Sequence, residues 1–235
     1  MYILFDLDDT IYNLADSFTK THKAVFPDWD MDTEAAFPVS RVKSYEAMRL
    51  VSQGSISKDE EFPYRVKETY AEYGFTVSEE KAREFERVYR EFQGKISIFD
   101  GMAEVLNFAK ENFEGIRLFT NGRSDHQRAK AASLGMGAFF ADDEIFVSEE
   151  LGYFKPDIRA FEEVEKRMGT APDRLLMIGD TYSADIESAI KRGWKTIWFD
   201  HRHFSKPAGS PDPDYRVCKP AEIQRALTEY IKKFV

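Results

Sequence analysis

Apolar residues along the chain fall into short unbroken runs separated by helical patterns. Tyr2-Ile-Leu-Phe5 lacks polar alternation, which predicts a strand buried on both faces of a parallel sheet. Comparable runs recur at Ile116–Phe119, Ile145–Val147, Leu175–Ile178 and Thr196–Phe199. Between them, Met102, Val105, Leu106 and Ala109 keep the spacing of one helix face. Ser124-Asp-His-Gln127 reads as a capping box opening a helix that Gly135 closes. Asp157 to Met168 stops at Gly169, and Ser183 to Arg192 stops at Gly193. A last helix carries Ile223, Leu227, Tyr230 and Ile231 on one face. Strands alternating with helices of this length predict βαβ units, an α/β fold and a twisted parallel sheet.

The stretch from Ala15 to Ile96 breaks that rhythm and holds no pattern of a buried strand. Leu14, Phe18, His22 and Val25 share a helix face; so do Phe62, Val66, Tyr70 and Tyr73, and so do Phe85, Val88, Tyr89 and Phe92. Turn signals at Pro27-Asp28, Gln53-Gly54-Ser55 and Gly74 separate them. A helical insert over 15–96 is therefore expected within a core made of 1–14 and 97–235, joined near Asn13 and Gly94.

Composition narrows the function classes. With 43% apolar residues, including 20 Phe and 11 Tyr, the 235-residue chain can fill a substantial core. Its 42 acidic against 33 basic residues give a net charge of −9, unfavourable for general binding to nucleic-acid polymer or anionic membrane. The lone Cys218 can form neither an intrachain disulfide nor a thiolate metal site. Only five apolar residues precede Asp6, too few for an export signal, and no run is long enough to span a bilayer. A cytoplasmic location is expected.

The candidate chemistry sits after the strands. Ligands of open parallel sheets bind beyond the carboxyl ends of the strands. Asp6 falls at that edge, and Asp8 can turn back toward the same cleft. One such carboxylate can stay ionised as a nucleophile or metal ligand while the other holds a proton as general acid. The plain alternative is a solvated acidic turn, and Asp9, expected to point away, is read as a turn residue. Thr120-Asn-Gly122 follows the second core strand, where a hydroxyl and an amide could hold an anionic oxygen or merely make a turn. Lys155-Pro156 lies in the loop after Val147; its lysine is either solvated or set against a phosphate or carboxylate. Asp180 ends the strand Leu175–Ile178, and Asp185 follows on a helical turn, as hard oxygen ligands for Mg²⁺ or a helix-start acid.

Together these residues resemble the haloacid dehalogenase (HAD) superfamily of phosphohydrolases. Its motifs appear in order as Asp6-Leu-Asp-Asp-Thr10, Thr120, Lys155 and Gly179-Asp-Thr-Tyr-Ser-Ala-Asp185. The resemblance implies a Rossmann-like parallel-sheet core with an inserted α-helical cap. It further implies Asp6 as nucleophile, forming an aspartyl-phosphate, and Asp8 as acid and base. Mg²⁺ would be held by Asp6, the Asp8 carbonyl, Asp180 and Asp185, and the phosphoryl oxygens by Thr120, Asn121 and Lys155. Dehalogenases of this superfamily lack the second aspartate, so Asp8 favours phosphate esters.

Val147 to Pro156, Met177-Ile-Gly-Asp-Thr181 and Trp198-Phe-Asp-His-Arg202 look like the bacterial pyrimidine 5′-nucleotidase branch, which implies nucleoside monophosphates as substrates. The alternatives are another small phosphoester (phosphoglycolate, a sugar phosphate or pyrophosphate), a phosphoglucomutase-like activity, or a phospho-accepting regulatory domain. His22, Lys23 and Arg65 are the insert's candidates for touching substrate. His22 is otherwise read as a packed residue and Arg65 as a surface salt bridge. His201 and His203 lack a third ligand and belong to the loop before the final strand.

Overall fold

The computed structural model describes residues 1–234. The apolar runs become strands β1 (Tyr2–Phe5), β2 (Gly115–Thr120), β3 (Ile145–Val147), β4 (Leu175–Gly179) and β5 (Lys195–Phe199), followed by β6 (Tyr215–Val217). Helices α1 (Leu14–Val25), α2 (Thr33–Ser52), α3 (Glu61–Ala71) and α4 (Glu79–Gln93) occupy the stretch after β1. Helices α5 (Met102–Asn112), α6 (Ser124–Ser133), α7 (Ser148–Leu151), α8 (Ile158–Met168), α9 (Glu187–Arg192) and α10 (Pro220–Phe234) accompany the remaining strands. The chain forms two compact units, Met1–Asn13 with Ser97–Val235, and Leu14–Ile96. No helix among the described residues is long and apolar enough to cross a membrane.

In the larger unit all six strands are parallel, in the order β3-β2-β1-β4-β5-β6. β4 is buried at every position, which explains its run of apolar residues. Phe119, Phe161 and Trp194 form the aromatic centre of one core layer, with ring centroids 5.1–6.5 Å apart. The order reverses at β1, whose neighbours are β2 and β4, and that reversal opens a crevice at the carboxyl ends of these strands.

Two helix starts differ from the sequence expectation. The capping box at Ser124–Gln127 does not form, because α6 starts from Arg123 in an extended conformation. The Glu149 carboxylate, 2.8 Å away, accepts from the Ser124 amide instead, and the Gln127 side chain turns to other partners. The helix expected from Ser183 opens with a π-helical turn at Tyr182–Ile186 before α9 begins.

The smaller unit has an aromatic interior. Phe26 stacks on Trp29 at 4.3 Å and Trp29 on Phe75 at 4.5 Å, with Tyr70, Phe18 and Phe85 packed around them. Helix α2 had no clear periodic signal in the sequence. It buries Ala36, Phe37, Ser40 and Ala47 while Val42 and Tyr45 stay exposed, so its apolar residues trace no clean stripe.

His22 is a packed residue: Nδ1 lies 2.9 Å from the Tyr70 hydroxyl and Nε2 lies 3.0 Å from the Trp29 carbonyl. Arg65 is not a surface salt bridge. Its guanidinium is buried over the Phe62 and Tyr89 rings, and Nε donates to Ser40 Oγ at 2.9 Å.

Burial holds His22 below its ordinary value of 6.5, since desolvation penalises the imidazolium. The unfolded chain therefore takes up this proton first as pH falls. The contribution is complete above about 6.5 and is lost below it. The denaturation midpoint should drop on mild acidification, and the difference between wild type and His22→Gln should shrink with it. A constant difference across that range would show that His22 does not titrate with unfolding.

Candidate active site

Strand register sets the geometry of the crevice. Phe5 pairs with Leu118 on one side and Ile178 on the other, and the Asp6 amide still donates to the Ile178 carbonyl at 2.9 Å. Asp6 thus leaves the sheet between the ends of β2 and β4, which carry Thr120 and lead into Asp180. The motif residues therefore meet because parallel strands end together.

Lys155 reaches this edge from the loop after α7. Its Nζ donates to Asp6 Oδ1 at 2.8 Å, to Asp185 Oδ1 at 2.5 Å and to the Phe119 carbonyl at 2.7 Å. Asn121 fixes the loop much as a strand partner would. Its Nδ2 donates to the Lys155 carbonyl at 2.7 Å, while its Oδ1 accepts from the Lys155 amide at 2.9 Å. Burial opposes the Lys155 charge, but Asp185 and Asp6 outweigh it and raise the ammonium above the ordinary lysine range. Burial also pushes Asp6 up to about 7, with Asp185 and Asp8 adding to the rise against the pull of Lys155.

Asp6, Asp180 and Asp185 each bring a carboxylate oxygen within 4.8 Å of the others. Hard oxygen donors at this spacing fit Mg²⁺.

The surroundings hold these carboxylates in place. The Thr181 amide donates to Asp185 Oδ2 at 3.1 Å, and the Trp198 indole donates to the Asp180 carbonyl at 2.7 Å. Gly179 is obligatory for steric reasons, since a Cβ there would lie 2.5 Å from Asp185 Cγ. The Thr120 hydroxyl is buried and has no hydrogen-bond partner among the described residues, which leaves a donor for a ligand oxygen.

Asp8 and Asp9 each have a cation of their own. Lys130 Nζ lies 2.5 and 2.6 Å from the two Asp8 carboxylate oxygens, and the Tyr12 hydroxyl donates to Asp8 Oδ1 at 2.6 Å. Asp9 points elsewhere, as expected, yet it is a buried hub rather than a plain turn residue. It adopts φ +61°, and Arg202 donates to its two oxygens at 2.5 and 2.8 Å. Burial alone would raise its carboxyl; Arg202 and His201 reverse that and hold it well below the usual range.

Sequence reasoning missed Lys130, Gln127 and Arg202. A signal for the first two existed, because Gln127 and Lys130 stand three residues apart on one helix face directly after Thr120-Asn-Gly122.

Comparison with known proteins decides the family. The family model described as "haloacid dehalogenase-like hydrolase" matches residues 1–193. The chain belongs to this family. It is 27% identical to the glyceraldehyde 3-phosphate phosphatase of Methanothermobacter thermautotrophicus, over 83% of each chain. It is 26% identical to the pyrimidine 5′-nucleotidase YjjG of Escherichia coli, over 97% of this chain and 98% of that one. The magnesium-bound structure of the putative HAD-hydrolase YfnB from Bacillus subtilis superposes with a TM-score of 0.74 at 25% identity. That match covers 96% of this chain and 97% of that one. The protein is thus a hydrolase of a family whose named relatives include phosphatases.

A Mg²⁺ ion held by Asp6 would displace the carboxyl proton, so its affinity would weaken about tenfold for each pH unit below about 7. Calorimetric titration in buffers of different ionisation enthalpy should detect the released proton. A pH-independent affinity through this range would separate Asp6 from the cation site.

Proposed function

We propose that the protein is a Mg²⁺-dependent phosphomonoesterase working through an aspartyl-phosphate on Asp6, with nucleoside 5′-monophosphates as its substrates. In this reading, residues 1–14 and 97–235 are the catalytic core, and 15–96 are the substrate-selecting cap. The observation that carries the chemistry is the pair of separately held carboxylates, Asp6 against Lys155 and Asp8 against Lys130. Such a pair supports two roles on one strand end.

The Asp6 carboxylate attacks phosphorus as the bond to the leaving oxygen breaks, and Asp8 gives that oxygen its proton. Asp8 then takes a proton from the water that attacks the phosphoryl group, and Asp6 is released as carboxylate. Lys155 and the Thr120 hydroxyl hold the non-bridging oxygens, with the Asn121 backbone amide alongside. Asp6, Asp180, Asp185 and the Asp8 carbonyl would hold Mg²⁺, which would supply positive charge against the approach of two anions.

The nucleotide assignment draws on the end-to-end match to a pyrimidine 5′-nucleotidase. A second reading keeps the chemistry and replaces the substrate with a small phosphoester such as glyceraldehyde 3-phosphate, the substrate named for another relative.

A phosphate-release panel separates the two. Nucleoside monophosphates should rank first by kcat/KM, and a triose or sugar phosphate at the head of the ranking would replace the nucleotide reading. Asp6→Asn should lower kcat by at least about 10⁴-fold while leaving the circular dichroism and melting curve of a folded protein. Retention of most turnover would remove Asp6 as nucleophile.

A further inference from the structure

Helix α6 turns an unusual face inward. Its buried residues are Gln127, Lys130 and Ala131, where a helix on a sheet normally presents an apolar stripe. Both polar side chains converge on one carboxylate. Lys130 Nζ meets both Asp8 oxygens, at 2.5 and 2.6 Å, and Gln127 Nε2 lies 3.2 Å from Asp8 Oδ2. The Gln127 amide also donates to the Asn121 carbonyl, so both of its contacts are to acceptors and its orientation is fixed. Gly122 leaves room for it, since a Cβ there would stand 2.6 Å from Gln127 Nε2. Tyr12 completes the set from the other side.

Such a cage differs from ordinary surface pairing. Lys130 is only 8% exposed, so its ammonium has given up most of its water to sit against the Asp8 carboxylate. A lone carboxylate on a turn can swing about two side-chain torsions. Donors from α6 and from Tyr12 leave Asp8 a single orientation.

We propose that Lys130, assisted by Gln127, is a positioning residue that holds the Asp8 carboxylate in the orientation needed for its proton transfers. The role rests on the reading of Asp8 as acid and base. It acts in both half-reactions: when the leaving oxygen takes the Asp8 proton as the Asp6–phosphorus bond forms, and when Asp8 takes the water proton as that bond breaks.

Steady-state kinetics on an aryl and an alkyl phosphate test this. An aryl leaving group departs without an acid, so its kcat/KM reports phosphoenzyme formation with little help from Asp8. Lys130→Met should lower kcat for the aryl ester by about 10- to 100-fold, with KM falling alongside as hydrolysis of the phosphoenzyme slows. For the alkyl ester kcat/KM should fall as well. Lys130→Arg should recover most of both losses, and Gln127→Met should show the same pattern more weakly. Gln127→Met carries the test if Lys130→Met does not fold.

Equal proportional losses of kcat and kcat/KM on both esters would mean fewer active molecules and would overturn the positioning role. So would variants that lose nothing. Wild-type protein that hydrolyses neither ester would instead sink the phosphatase reading, and this role with it.

Discussion

A single buried ammonium, that of Lys155, allows two buried carboxylates to share the end of the sheet. Taking Asp6 and Asp185 out of water costs several kcal/mol each unless a partner replaces the lost hydration. Lys155 serves both of them and is itself anchored on the Phe119 carbonyl. Burial nonetheless outweighs the pull of Lys155 and, with Asp185 and Asp8 adding to the rise, pushes Asp6 up to about 7. The residues around the cluster can be understood as consequences. Asn121 clamps the lysine's loop, Gly179 makes room for Asp185, and Trp198 holds the Asp180 carbonyl.

The same logic extends along Asp6-Leu-Asp-Asp9. Three acids within four residues would repel one another if they shared one environment. Each is instead given a cation from a different part of the larger unit: Lys155 from the loop after α7, Lys130 from α6, and Arg202 from the loop after β5. The left-handed turn at Asp9 sends its side chain away from the crevice, a conformation aspartate tolerates better than most residues. Arg202 also donates to Asn13, and Asp200 anchors that loop through Arg216 and the Phe204 amide. An acidic motif can therefore be buried at the centre of the fold because its countercharges are dispersed through the sequence.

That dispersal explains what the sequence could and could not disclose. β1 to β5 were legible because a strand buried on both faces leaves a local trace, an unbroken apolar run. Asp6, Thr120, Lys155 and Asp180 were legible because each stands just beyond such a run or in the loop it leads to. Arg202 was not, since nothing local to it records a partner 193 positions away, and the spacing of Gln127 and Lys130 marks a shared helix face without naming the carboxylate 122 positions away that it serves. The failed capping box at Ser124 has the same origin. The local pattern was sound, but Glu149 and Glu150 from α7 supplied the competing acceptors. Helix α2 was hidden for a different reason: its buried positions include serine and alanine, and two of its larger apolar residues face water.

The smaller unit separates packing from recognition in a way that narrows where selectivity can reside. His22 and Arg65 both attract attention in the sequence as potential ligands. Yet His22 is committed to Tyr70 and the Trp29 carbonyl, and Arg65 to Ser40 and two aromatic faces. The aromatic residues that could have stacked on a nucleobase are largely stacked on one another, Phe26 on Trp29 and Trp29 on Phe75 among them. A side chain cannot serve as a solvent-accessible contact and as the filling of a closed interior in the same conformation. In the proposed reading, substrate choice by residues 15–96 falls to exposed positions such as Lys23, which no packing requirement fixes. The strand edge that carries the acidic cluster lies under the opposite constraint. There the motif side chains are set by strand register, buried charge and a steric limit at Gly179.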